Sequence, residues 1–282
     1  MAYRITVENK KGEQLELTNN PNYDVKATGL SPVTSDIITT PVANYGGAKY
    51  VTSRKQTRNI VLTIFVKTPV EANRLNLYKY INTGEWIRVY IKNNTRDVYI
   101  DGYVDDFDCD LFTQTQTAQV SIICPKSQFM DIKPDVVKIG TIVGAFSFPF
   151  YTNDDYPITF SIYDAKATLV NNESDNNIGF IYTIQCYGKV VNPILYLENT
   201  GEYFKINRTF PKDSVITIST LDGKKSVKCD LRGHVTNIIN DLDSGSTWLK
   251  LKAGYNHLLQ TAESGVDNMV GELYYNKEYE GV

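Results

Sequence analysis

Thr57-Arg58-Asn59-Ile60-Val61-Leu62-Thr63-Ile64-Phe65-Val66-Lys67 is the stretch on which the reading of the fold turns. Ile60, Leu62, Ile64 and Val66 fall on alternate positions, the period of a β-strand with one buried face. Val61 and Phe65 make the opposite face partly apolar, so a strand covered on both sides is expected. Thr68-Pro69-Val70-Glu71 follows at once and reads as a helix start. Thr68 would cap, Pro69 would stand where a missing N–H is harmless, and Glu71 would complete a capping box. The helix is predicted to run to about Ile81, burying Leu75, Leu77, Tyr78 and Ile81, and to stop at Gly84. No other stretch makes a convincing helix.

Tyr3 to Val7 alternates, turns at Asn9-Lys10-Lys11-Gly12 and returns as Leu15 to Leu17; Tyr23 to Ala27 is a further extended piece. Residues 30–55 then change character, with Pro32, Pro41, Gly46, Gly47 and many Ser and Thr, and read as a long arm without secondary structure. Beyond the helix, Trp86 to Ile91 and Arg96 to Ile100 form a hairpin turning at Asn93-Asn94. Gly102 marks a bulge or bend before Tyr103 to Asp110, and Gln114 to Cys124 closes this half. The second half is strands alone: Ile158 to Ile162, Phe180 to Tyr187, Ile194 to Leu197, Phe204 to Ile206, Val215 to Ile218, Val227 to Leu231 and Trp248 to Leu251. Leu221-Asp222-Gly223-Lys224 is a tight hairpin turn, and Leu273 to Tyr275 a last strand. The expected architecture is mainly β: a β-rich first domain with one packed α-helix over 1–133, a β-sandwich or jelly roll over 134–266, and a terminal strand within 267–282.

Composition narrows the function classes. Twenty Tyr and eleven Phe suit pleated, half-buried surfaces, whereas a formal charge of −3 supplies no excess cations for phosphates, so nucleic acid is not an expected partner. No stretch approaches the roughly 20 apolar residues of a membrane helix, and Met1-Ala2-Tyr3-Arg4-Ile5 lacks the pattern of a signal peptide. A soluble protein made in a cytoplasm is expected. Cys109, Cys124, Cys186 and Cys229 are scattered without a Cys-x-x-Cys pair and read as reduced, mostly buried thiols.

Catalytic and metal patterns are weak. His234 and His257 lack partners at metal-ligand spacing and read as surface or turn residues. Asp106, Asp108 and Asp110, with Asp105 beside them, would suit a hard cation, yet their period of two fits the polar face of a strand better. Asp154, Asp155, Glu173 and Asp175 would serve paired-carboxylate sugar hydrolysis only at a defined separation, and they stand in loop-like text. No catalytic residue, cofactor or metal is assigned, and no enzyme is expected. Tyr151, Tyr156, Trp248 and Tyr255 are candidates for stacking on sugar rings, with core packing the stronger reading for Trp248 beside Leu249 and Leu251.

The order of these elements resembles the siphovirus distal tail proteins. The opening hairpin, the Pro/Gly-bearing arm, Arg58 to Leu62, the capped helix and Arg96-Asp97-Val98-Tyr99-Ile100-Asp101-Gly102 are similar to their N-terminal region. Gly188 to Pro193, Asp222-Gly223-Lys224-Lys225, Trp248 to Leu251, Gly254-Tyr255-Asn256 and the closing Tyr274 to Val282 are similar to their C-terminal part. The resemblance implies a structural tail-tip protein whose N-terminal domains form a hexameric ring, with a galectin-like or carbohydrate-module-like sandwich outside it. The arm at about 30–55, with Pro32, Ile37, Ile38, Pro41, Tyr45 and Tyr50, would reach across a neighbouring subunit, and the terminal strand would return to the ring domain. Implied partners are the tail tube protein, the hub or tail-associated lysin, and receptor-binding proteins; the implied location is the virion tail tip. The alternative reading is an adsorption module whose sandwich binds cell-wall glycans.

Overall fold

The strand Arg58–Val66 lies inside an antiparallel sheet of the computed structural model, which describes residues 3–43, 46–113, 115–144, 161–164 and 167–282. The chain divides into two units, Met1–Ile132 with Glu278–Val282, and Lys133–Lys277. In the first, the strand order is Gln14–Glu16, Arg4–Asn9, Trp86–Lys92, Asp97–Cys109, Thr117–Cys124, Arg58–Val66, Tyr23–Thr28. Ile60, Leu62, Ile64 and Val66 are buried, and Val61 and Phe65 are half-buried. The same alternation buries Ile5, Val7, Ile87, Val89, Ile91, Val98, Ile100, Val120 and Ile122 into one core.

The helix spans Val70–Tyr80 and rests on this sheet through Leu77 and, just beyond its end, Ile81. Leu75, expected in the buried stripe, is 48% exposed. Asn73, Leu77 and Ile81 repeat at four residues and share a face, whereas a residue two from Leu77 points away. Asn73 is buried because its Nδ2 donates to the Lys67 carbonyl and its own carbonyl accepts from the Tyr23 hydroxyl at 2.9 Å each. Pro69, not Thr68, takes the N-cap position, and no side chain caps the helix.

Two further readings change. The bulge lies between Val104 and Asp106, not at Gly102. Gly102 instead allows close strand packing, since a Cβ there would stand 2.6 Å from Ile122 Cγ2 and 2.9 Å from Cys124 Sγ. The arm is not devoid of secondary structure: Ser35–Pro41 and Ala48–Lys55 form a hairpin of their own. Thr39, Thr40, Tyr50, Val51 and Thr52 are β-formers, and that propensity shows even where no core covers them.

The second unit is a β-sandwich. One sheet has the order Asp135–Ile139, Met269–Tyr275, Ile181–Cys186, Ser214–Ser219, Ser226–Leu231, His234–Asn237; the other Thr168–Asn172, Gly254–Ser264, Val190–Leu197, Glu202–Lys205, with Thr209–Phe210 at the side of Val190–Leu197. Their inward residues form one core, with Phe180, Tyr182, Ile216, Ile218 and Leu273 beside Val170, Leu195, Leu197, Phe204 and Leu258. Thr141–Gly144 and Ser161–Asp164 pair with each other. Gly223 makes the expected turn at φ +73°, with the Lys224 amide donating to the Leu221 carbonyl at 3.0 Å. Trp248 to Leu251 is not a strand: only Leu251 bridges, to Ile178, while Leu249 and Leu251 sink into the core. Their alternation reports burial of a loop rather than pairing in a ladder. Leu273 to Tyr275 belongs to this unit's sheet, and it is the residues after it, Glu278–Val282, that lie in the first unit.

Candidate assembly surface

No strand residue of the exposed hairpin joins the core of its unit. Its strands pair from Ser35 with Lys55 to Pro41 with Ala48, shifting register between Ile38 and Thr39, and every residue of both is exposed. Ile37 is 66% exposed, Ile38 52%, Tyr50 59% and Val51 55%. A two-stranded ribbon is marginal in water, because neither face is covered. One that also holds bulky apolar side chains in solvent is suited to being covered by a partner. Pro32 and Pro41 are exposed as well, and Tyr45 lies outside the described residues.

Arg58 stands at the foot of the ribbon. It falls in phase with Ile60 and Leu62 and is only 1% exposed. Its guanidinium donates to backbone carbonyls from separate parts of the chain: Nε to Ser127 at 2.7 Å, Nη1 to Gly29 and to Ser31, the latter at 2.7 Å, and Nη2 to Glu280 at 2.6 Å. The Phe129 ring lies 4.4 Å from the guanidinium carbon. Burial pulls the Arg58 pKa below its ordinary value, but an arginine so well supplied with acceptors stays charged. Sequence reasoning passed over Arg58, although an arginine in register with a buried apolar row is a readable signal for a caged cation.

The other candidates are not brought together. Trp248 is half-buried against the core, edge-on to Phe204 at 5.4 Å, with Lys225 Nζ 5.5 Å from its ring. Tyr255 is 65% exposed at the start of Gly254–Ser264; Tyr151, Tyr156, Asp154 and Asp155 lie outside the described residues. Asp105, Asp106, Asp108 and Asp110 are exposed along one strand and its end, and no group of three or more metal-ligating side chains occurs among the described residues. Glu173 pairs with Lys277 at 2.6 Å, which holds its carboxyl below the usual range. His234 and His257 are exposed.

Residues 173–279 match the family model of the siphovirus-type tail component, C-terminal domain. The chain resembles the siphovirus distal tail proteins. Among solved structures, SPP1 Dit, described as a paradigm of the hub adsorption apparatus in Gram-positive infecting phages, matches with a TM-score of 0.68 at 12% identity, over 99% of each chain. The phage P2 baseplate in its activated conformation matches with TM-scores of 0.53 with Ca and 0.52 with Sr, each at 10% identity over 100% of both chains. At such identities the agreement is one of fold, and it extends over both units. A comparison with curated protein sequences returns no match.

Proposed function

We propose that this chain is a structural component of a phage tail tip, assembling into a closed ring of six that joins the tail tube to the hub and adsorption proteins. The observation that carries the reading is the exposed hairpin, whose Ile37, Ile38, Tyr50 and Val51 stand in water on a ribbon too thin to be stable alone. A neighbouring copy is the natural cover, because a heterologous contact repeated around a rotation axis closes a ring. The matched tail-component domain and the whole-chain fold agreement with SPP1 Dit and a phage baseplate support the setting. In it, the partners are the tail tube protein and the tail hub or its lysin, the location is the virion tail tip, and synthesis takes place in the host cytoplasm. The role is architectural rather than enzymatic. Negative-stain images of the purified protein test it: class averages are expected to show rings with six-fold symmetry. Class averages that show only isolated particles without rotational symmetry would count against it.

A further inference from the structure

We propose that Glu278–Val282 is a strap that fixes the root of the hairpin arm, so that the arm is aimed only in a chain carrying these residues. The proposal deepens the reading of the arm as the assembly element and rests on it.

The segment enters the first unit by pairing Glu278 with Met130 and Tyr279 with Phe129. From there it reaches both ends of the arm. At the entry, the Val282 amide donates to the Leu30 carbonyl at 3.2 Å. Arg58 ties the Glu280 carbonyl to those of Gly29 and Ser31. Gly281 is packed against the same turn: a Cβ on it would stand 3.1 Å from the Leu30 oxygen and 3.2 Å from Pro32 Cδ. At the exit, the Glu280 carboxylate pairs with Lys55. The strap is itself held down: Lys126 pairs with Glu278 at 2.6 Å, and Arg96 lies 4.2 Å from the Tyr279 ring and donates to the Gly281 carbonyl.

The ribbon makes its own ladder and exposes every strand residue, so its direction depends on how firmly residues 29–31 and 55–58 are held. A loose root lets the arm sample many directions, and docking it onto a neighbour then costs more orientational entropy; a fixed root is pre-organised. Arg58 and Glu280 are 222 positions apart, and all of Lys133–Lys277 lies between them. A chain that stops within the second unit therefore lacks the strap's ties at the root and keeps only those made within the arm's own neighbourhood, such as Arg58 to Gly29 and Ser31. The strap makes assembly competence conditional on the second unit having been synthesised. Arg58 and Lys55 act in it as positioning residues.

Hydrogen–deuterium exchange on the full chain, diluted until monomeric, reads the strap directly. Removing residues 278–282 should speed exchange at 29–34 and 54–58 at least about tenfold by local opening, leaving Trp86–Lys92 and Ser214–Ser219 unchanged. Glu280→Lys, which sets two cations side by side, should loosen the same peptides, and Lys55→Glu added to it should restore them. Unchanged exchange at the root after the deletion would overturn the proposal. So would faster exchange spread evenly through the first unit, which would make the segment an ordinary part of the sheet. Light scattering separates this from the ring reading. A protected root in a wild-type protein that never assembles would refute the ring and uphold the tether, whereas a loose-rooted deletion variant that assembles normally would refute the strap's part in assembly.

Discussion

Arg58→Met would remove a guanidinium that four backbone carbonyls accept from, leaving those oxygens short of a donor. The expected destabilisation is on the order of 3 kcal/mol, measured as a fall in urea midpoint at unchanged m-value. The thiols make a second prediction at this scale. Burial pushes the pKa of Cys124 and of Cys186 up to about 12, and raises Cys109 and Cys229 as well. The thiolate is the reactive form. A thiol reagent at neutral pH should leave Cys124 and Cys186 unlabelled in the native protein and label all four in urea; rapid native labelling of Cys124 would contradict the packing. Unpaired thiols were legible from the spacing of the cysteines, and the structure has all four free, three of them buried. Arg58 was missed because a search for chemistry looks for charged groups in loops, not for one in step with an apolar row.

Helix, strand and turn were legible where side-chain period and burial coincide. The strand Arg58–Val66 and the turn at Gly223 show this. Gly254–Ser264 shows the converse. It is the longest strand among the described residues of the second unit, yet its buried side includes Asn256 and Gln260. Asn256 is satisfied by the Lys252 amide and by the Lys252 and Gly254 carbonyls; Gln260 accepts from the Tyr182 hydroxyl and donates to the Met269 carbonyl. Polar residues that fold inward with such partners erase the alternation on which a strand is recognised. The arm predicts an assembly phenotype without a folding one. Ile38→Asp with Tyr50→Asp should abolish the oligomer while shifting monomer stability by no more than about 0.5 kcal/mol, the usual range for exposed sites. Equal losses of both, seen by calorimetry beside light scattering, would mean that the ribbon is part of the core. The loop after Asp241 predicts a pH effect. Asp243 accepts from Asn207 Nδ2, the Gly245 amide and the Tyr203 hydroxyl, which hold its pKa below the ordinary value. Its contribution is therefore present above the ordinary carboxylate range and lost as pH falls through the lowered folded value. Asp243→Asn should flatten that part of the acid limb in a series of urea titrations; an unchanged limb would show that the carboxylate does not matter.

At the scale of the molecule, the β-rich first half with its helix and the sandwich that follows were legible from turn spacing and strand period. The resemblance implied a return of the terminal strand, but no local pattern marks Glu278–Val282 as the residues that pair across most of the chain. The candidate site was half legible. Pro and Gly marked the arm, but its hairpin and its tether depend on contacts that only the folded chain brings together. The mass of the purified protein by light scattering across a concentration series tests whether the ring forms. A discrete species of about six times the 31.9 kDa chain mass is expected, from repeated arm-to-neighbour contacts that close on themselves. A single species of 31.9 kDa at every concentration would contradict it.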